Sequence, residues 1–334
     1  MAVTERDRAP SGRGSSLRLT LFEGDRAEQL DDLDDAPRRL GKSALLWIDT
    51  GVPSEEAARR IAEALGVDGE AIAVLTGSRR TNRFHDGGSF VAVTLEAPEA
   101  KAVDSVVEVG CVVGKQWVVT SHATPIEALD EFTELAEGSG ATGELDGPSF
   151  LATLVAWVLK AYETAFDHLE EELEVLDEEA MRGRGAPESH IESLVALRGR
   201  AGRLRRALST HRAALLALTH PELEALGDEV SAQRFQELLS SYESTMQTAR
   251  DTRTSIVSSF DVVIARTGQR TNDVMKILTL ASVILLPGSL LAGVMGMNFK
   301  VSVFTHPTLF WVVLGVIGMI AVVVLAIAKA RDWI

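Results

Sequence analysis

The sequence predicts an α+β cytoplasmic domain, then a long stalk helix that continues into a two-helix transmembrane hairpin. Three observations predict this. Of 33 Lys+Arg and 48 Asp+Glu in 334 residues, only Lys300, Lys329, Arg331 and Asp332 follow Lys276. Residues 1–276 therefore carry 30 basic and 47 acidic groups, a net charge of −17. The uncharged end holds two apolar runs of 20 residues each, 277–296 (ILTLASVILLPGSLLAGVMG) and 309–328 (LFWVVLGVIGMIAVVVLAIA). Roughly 20 helical residues cross a bilayer core of about 30 Å. Finally, residues 231–286 contain no proline and a single glycine, Gly268. One helix thus runs from the aqueous phase straight into the membrane.

In chain order, residues 1–16 are polar and form a disordered tail; no apolar stretch opens the chain, so no signal peptide is expected. Residues 17–147 read as an α/β domain. Leu17–Leu21 alternates as a strand, and Ala44–Ile48 is a short apolar run that ends at Asp49 and Gly51. A helix follows from Glu55 to Leu65 with Ser54 as its N-cap. Further strands fall at Phe90–Leu95, Ser105–Val113 and Gln116–Thr120. Cys111, the single cysteine, lies in one of them as a buried structural thiol. One cysteine cannot form an internal disulfide, which fits a reducing compartment.

Residues 148–230 read as a cytoplasmic antiparallel helical hairpin. Phe150 to Met181 is one long helix whose far end is acidic, with Glu170, Glu171, Glu172, Glu174, Asp177, Glu178 and Glu179. Gly183, Gly185 and Pro187 break it. A basic helix follows from Glu188 to Leu218, so opposite charges face each other. The acidic run is a solvated face or, alternatively, an attractor of cations.

The stalk covers 231–276, the first span 277–296, the outer loop 297–308, the second span 309–328 and a basic tail 329–334. Stalk and first span together make a rod of roughly 100 Å, too long to be held by one-sided packing, so several copies should bundle. Arg266, Arg270 and Lys276 precede the first span and Lys329 and Arg331 follow the second, so both termini are expected in the cytoplasm of a multi-pass plasma (inner) membrane protein. Pro287 in the first span reads as a hinge or a tolerated bend. Asn272, Met275, Thr279, Ser282, Leu286, Ser289, Gly293 and Gly296 recur at spacings of three and four. This stripe of small and polar residues is either the wall of a narrow wet pore or a close-packing seam.

The stripe ends in Gly296-Met297-Asn298 and begins in Arg270-Thr271-Asn272-Asp273-Val274-Met275-Lys276-Ile277-Leu278-Thr279. With Pro287, Ala292-Gly293 and Phe299, these runs closely resemble the CorA-type magnesium channel family, the Gly-Met-Asn superfamily. The resemblance implies a homopentamer with a cytoplasmic funnel, whose first spans line one pore. It implies that Gly296, Met297 and Asn298 form the selectivity filter. Asn272 would form an inner polar ring, Met275, Leu278 and Leu286 apolar constrictions, and Ser289 a pore-facing hydroxyl. It also implies closure by cytoplasmic Mg²⁺ on carboxylates, where Asp261 matches one regulatory position and Glu237 stands near another at which aspartate is usual. Mg²⁺ is then both the transported ion, with Co²⁺ and Ni²⁺ as companions, and a regulatory ligand; no catalytic cofactor is implied.

Two departures from the family pattern stand out. The outer loop carries Lys300 and no acid, and Ala73-Val74-Leu75-Thr76 replaces an acidic stretch. His306 stands alone beside Pro307 and does not make a zinc site. The competing readings are the zinc-transporting branch of the same superfamily and a non-conducting, membrane-anchored helical scaffold or sensor. An enzyme is not indicated: the sequence shows no Ser/His/Asp cluster and no phosphate loop. The acidic balance argues against nucleic acid as a partner. The partners expected are further copies of the chain, lipid and divalent cations.

Overall fold

The computed structural model of the chain describes residues 17–23, 26–33, 35–40, 44–78, 83–99, 102–124, 146–183, 186–220, 222–226, 229–297 and 307–331. The chain divides into two compact units, Met1–Leu176 with Glu192–Ser258, and Asp177–Ile191 with Ser259–Ile334.

In the first unit, strands β1 (Arg18–Glu23), β2 (Arg26–Leu30), β3 (Ala44–Thr50), β4 (Phe84–Asp86), β5 (Phe90–Glu99), β6 (Ala102–Gly114) and β7 (Trp117–His122) form one mixed sheet in the order β2-β1-β3-β7-β6-β5-β4. β3 pairs in parallel with β7, with Ile48 opposite Val119, and the other neighbours are antiparallel. β3 is an unbroken apolar run because both of its faces are covered. Leu46 and Ile48 pack with Ala58 and Ile61 of α1 (Glu55–Leu65) and with Ala71 and Val74 of α2 (Gly69–Leu75). On the opposite face, Trp47 meets Phe150 at a ring separation of 5.3 Å and Phe22 at 6.4 Å. The buried indole keeps a polar partner: its Nε1–H donates to Thr120 Oγ1 (3.0 Å), and that hydroxyl donates to Asp49 (2.6 Å).

Local capping sets the helix ends. Ser54 accepts from the Ala57 N–H at the start of α1, and Gly66, at φ 69°, ends it in the left-handed region. Asp68 accepts from the Glu70 and Ala71 N–H groups and starts α2. α2 lies so close to β6 that a Cβ on Gly110 would stand 2.7 Å from the Val74 carbonyl oxygen. Cys111 is fully buried in β6, and burial pushes its thiol pKa up, so it is an inert packing residue.

α3 (Gly147–Met181) and α4 (Pro187–Ser209) run antiparallel, and within the first unit Arg200 grips Glu172 with two bonds of 2.6 and 2.9 Å. The acidic and basic helices thus meet charge to charge, as the sequence indicates. The basic helix is shorter than expected, however. It stops at Ser209, and α5 (Arg212–Leu218) begins separately. The break belongs to His211, which is 2% exposed. Its Nδ1–H donates to the Leu208 carbonyl (3.0 Å) and its Nε2 accepts from the Glu96 N–H (2.9 Å), which fixes a neutral ring. Burial lowers its pKa from 6.5 to about 4. The unfolded chain therefore takes up a proton that the folded one refuses as pH falls from about 6.5 to 4, so stability is full above that window and drops within it. The expected loss is about 3 kcal/mol at pH 4, and His211→Gln should flatten this dependence in denaturant titrations of the full chain.

The stalk helix α6 (Glu229–Met295) runs parallel to α3 in a fixed register. In the first unit Thr245 reaches Glu163 (3.4 Å) and Thr252 reaches Glu170 (2.8 Å); in the second, Ser259 reaches Asp177 (2.8 Å). All three pairs are 82 residues apart and recur every seven residues, the spacing of a left-handed coiled coil. Each hydroxyl is at most 3% exposed. Thr252→Val keeps the shape and removes one charge-assisted bond, so we expect it to cost about 1–3 kcal/mol, measured as a lower thermal midpoint.

In the second unit, α7 (Pro307–Ala330) lies antiparallel to the end of α6. A cavity of about 220 Å³ separates Thr279, Leu280 and Val283 from Val324, Ile327 and Ala328. Farther along, a Cβ on Gly288 would touch Ile317 at 3.5 Å. The apolar stretches of both helices have mean hydropathies of 2.2 and 2.9 and are not buried within the chain. Ile277, Leu290 and Trp311 are 68–70% exposed. Core helices of a soluble domain would bury such side chains, so lipid or further copies must cover these.

Candidate functional site

The stripe lies on an uninterrupted helix. α6 continues through Pro287, so the Val283 carbonyl loses its usual donor without the helix ending. From Asn272 to Gly296 the stripe extends over about 36 Å, close to the thickness of a membrane. Met275, Leu278 and Leu286 are 55%, 60% and 68% exposed, and Asn272 and Ser289 are also exposed. α7 packs beside this face, against Leu280, Val283 and Gly288, and leaves these five side chains open.

The hydroxyls have a definite polarity. Thr279 Oγ1 donates to the Met275 carbonyl (2.7 Å) and Ser282 Oγ to the Leu278 carbonyl (2.8 Å). With their protons spent on the helix, the oxygens keep lone pairs free to accept. Lone pairs are what the water shell of a cation requires, because metal-bound waters donate.

The helix ends at Met295. The Gly296 N–H still bonds Ala292 O (2.9 Å), and the Met297 N–H tightens onto Val294 O (3.3 Å). Gly296 does not use the left-handed region; a Cβ there would stand 3.3 Å from the Ala292 carbonyl, a snug approach. Asn298, the outer loop with Lys300 and His306, the tail 1–16 and the last residues 332–334 lie outside the described residues.

Asp261 and Glu237 are both exposed on α6. At 24 residues apart they are separated by about 36 Å along the helix axis, so one chain cannot bring them to a common ion. Among the described residues no group of three His, Cys, Asp or Glu converges to hold a metal. Ala73–Leu75 belong to helix α2, with Val74 and Leu75 buried in the core, so that stretch offers no exposed carboxylate for a metal.

A family model described as CorA-like Mg2+ transporter protein matches residues 42–329. The chain belongs to the CorA-like Mg²⁺ transporter family. It is 21% identical over 293 residues to the cobalt/magnesium transport protein CorA of Methanocaldococcus jannaschii, covering 87% of this chain and 92% of that protein. It is 24% identical over 307 residues to the cobalt/magnesium transport protein CorA of Thermotoga maritima, covering 86% and 83%. The complete structure of the Methanocaldococcus jannaschii CorA magnesium transporter superposes with a TM-score of 0.75 at 19% identity, over 96% of this chain and 99% of that one. The fold is therefore the CorA fold. Membership in this transporter family, with two exposed apolar helices, makes the chain a membrane protein and a divalent-cation transporter.

Sequence reasoning did not single out the hydroxyl–carboxylate ladder or the seam between the membrane helices. The heptad spacing of Glu163, Glu170 and Asp177 is visible in the sequence, but the register of 82 residues that pairs them with the stalk is not.

Proposed function

We propose that the chain is the subunit of a homopentameric channel for passive Mg²⁺ uptake, with Co²⁺ and Ni²⁺ sharing the path. The observation that carries this reading is the open face of α6, where free lone pairs alternate with apolar side chains up to Gly296-Met297-Asn298. Around a symmetry axis, the Asn298 amide oxygens form a ring that accepts from the waters of a hydrated ion. Mg²⁺ gives up water reluctantly, so a ring that reads its shell selects it without stripping it. Neutral oxygens also release the ion, as conduction requires. Asn272 forms the inner ring. Met275, Leu278 and Leu286 narrow the path with apolar collars that dry out when closed, and Ser289 offers a waypoint between them.

With both termini in the cytoplasm, the membrane potential draws the ion inward by about 4.6 kcal/mol per 100 mV for two charges. The excess of acid on residues 1–276 holds the ion there and couples its level to closure. Asp261 and Glu237 are the regulatory carboxylates of this reading, each completed by acids of a neighbouring copy. If so, Mg²⁺ should slow proteolysis of the stalk about tenfold or more by lowering the open population, and Asp261→Ala should remove much of that protection. A stalk equally sensitive with and without Mg²⁺ would rule the regulation out.

Proteoliposomes containing the purified protein test the transport reading. Mg²⁺ entry should follow an inside-negative potential and exceed Zn²⁺ entry. Entry of Zn²⁺ in preference to Mg²⁺ would assign the chain to zinc transport, and entry of neither would leave a scaffold.

A further inference from the structure

The second unit contains a cavity of about 280 Å³ that the pore does not involve. Its polar lining is His190, Arg266, Thr267, Gln269, Arg270 and Asp273. The wall opposite the stalk comes from Ala180, Met181 and Gly183 at the end of α3 and from Pro187, the first residue of the 23-residue helix α4. The positive end of that helix dipole adds to the two guanidinium groups.

His190 gives this cavity the character of a built site. It is 5% exposed, and its Nδ1–H donates to the Ala186 carbonyl at 3.0 Å. The residue contributes to the cavity lining, and its Nε2 is buried without a hydrogen-bond partner among the described residues; the Glu179 carboxylate is 4.0 Å away. A buried polar atom left unpaired is costly unless something outside the chain completes it. Arg266 and Arg270 make no ion pair among the described residues, whereas Asp273, the acid on the same wall, is held by Lys276 at 3.1 Å. Cationic donors are thus free where the local acid is already engaged.

Height within the membrane frame narrows the choice of ligand. Arg270 lies seven residues before Ile277, the first residue of the apolar run, about 10 Å below the edge of the hydrocarbon. The headgroup layer extends about 5–7 Å beyond that edge, within reach of an arginine side chain. We propose that this cavity binds an anionic phosphate group, gripped by Arg266 and Arg270 beside His190, with the headgroup of an acidic phospholipid as its source. Guanidinium forks match phosphate oxygens in pairs, and acidic lipid supplies the ligand at high local concentration. Occupancy would staple the α3–α4 turn to the stalk just outside the membrane.

The test uses the full chain in nanodiscs of phosphatidylcholine alone or of an equal mixture with phosphatidylglycerol, with and without inorganic phosphate. The readouts are the thermal midpoint and the lipid retained per subunit in native mass spectrometry. Phosphatidylglycerol should raise the midpoint and leave one retained lipid per subunit. In Arg266→Gln/Arg270→Gln the apparent affinity should fall about tenfold or more, and His190→Gln should weaken it less. Stabilisation of the phosphatidylcholine sample by inorganic phosphate, abolished in the double variant, would uphold the site with a soluble anion as its ligand. An unchanged response in the double variant, or no response to either source, would overturn the site. Because neither readout involves transport, its failure leaves the channel reading untouched, and a failed flux assay leaves the site untouched.

Discussion

Asn298→Ala is expected to reduce Mg²⁺ flux by about a hundredfold or more while leaving oligomer size and thermal midpoint close to those of the parent. In the proposed ring of five, each amide oxygen would accept from a water whose proton is acidified by Mg²⁺, and a bond of this charge-assisted kind contributes about 1.5–3 kcal/mol. Losing several at once removes the compensation for confining the hydrated ion at the outer mouth. Asn298→Asp separates a ligand role from a folding role. It retains the oxygen and adds charge, so the ion should bind more tightly and leave more slowly. Flux should fall while half-saturation shifts to lower Mg²⁺. If alanine and aspartate behaved identically, Asn298 would be a folding residue rather than a ligand of the water shell.

Leu286→Asn is the second variant of large expected effect, and its sign is opposite. Leu286 is 68% exposed within its own chain, so the substitution empties no packing inside the subunit. Around the proposed axis it would replace a dry collar with one that holds water. A hydrated divalent ion meets a barrier of several kcal/mol at an apolar neck, so wetting it should raise resting flux about tenfold or more and blunt closure by Mg²⁺. The close-packing alternative predicts the reverse: an amide in a tight seam would weaken assembly and lower flux. Flux and oligomer size, measured on the same preparation, separate the two.

The parts of this molecule legible in its sequence are those fixed by local or one-dimensional physics. The cap at Ser54, the doubly buried run of β3, the charge-bare spans and the unbroken α6 all depend on neighbours a few residues apart. Three elements went unread for physical reasons. β2, RAEQL, is a polar edge strand held by main-chain pairing with β1, so it has no apolar alternation to betray it. β4 is three residues long and, among the described residues, pairs with β5 alone. α2 is a seven-residue helix whose one sequence signal is the Asp68 cap. The break at His211 is a tertiary effect: a ring bonded to Glu96, 115 residues away, overrides a run of good helix formers.

The acidic face of α3 illustrates the same division. Composition reads it as solvated, and Glu171 and Glu174 are exposed. Glu170 and Asp177, however, turn inward to buried hydroxyls of the stalk, a pairing that only the register of two distant helices reveals. In the first span, periodicity identified the stripe but could not say what it faces. The back-bonded hydroxyls of Thr279 and Ser282 and the placement of α7 beside Leu280 and Val283 are the observations on which the proposed pore orientation rests.

The central claim is that this one face of α6 meets water in the assembled protein. The chain's single cysteine, Cys111, is fully buried, so cysteines introduced one at a time from 272 to 296 can be probed with a charged, membrane-impermeant thiol reagent on nearly silent background. The account predicts modification, and block of Mg²⁺ flux, at 272, 275, 279, 282, 286 and 289, with protection of 280, 283 and 284. Uniform protection along the span, or a reactive face centred on 280 and 284, would contradict it.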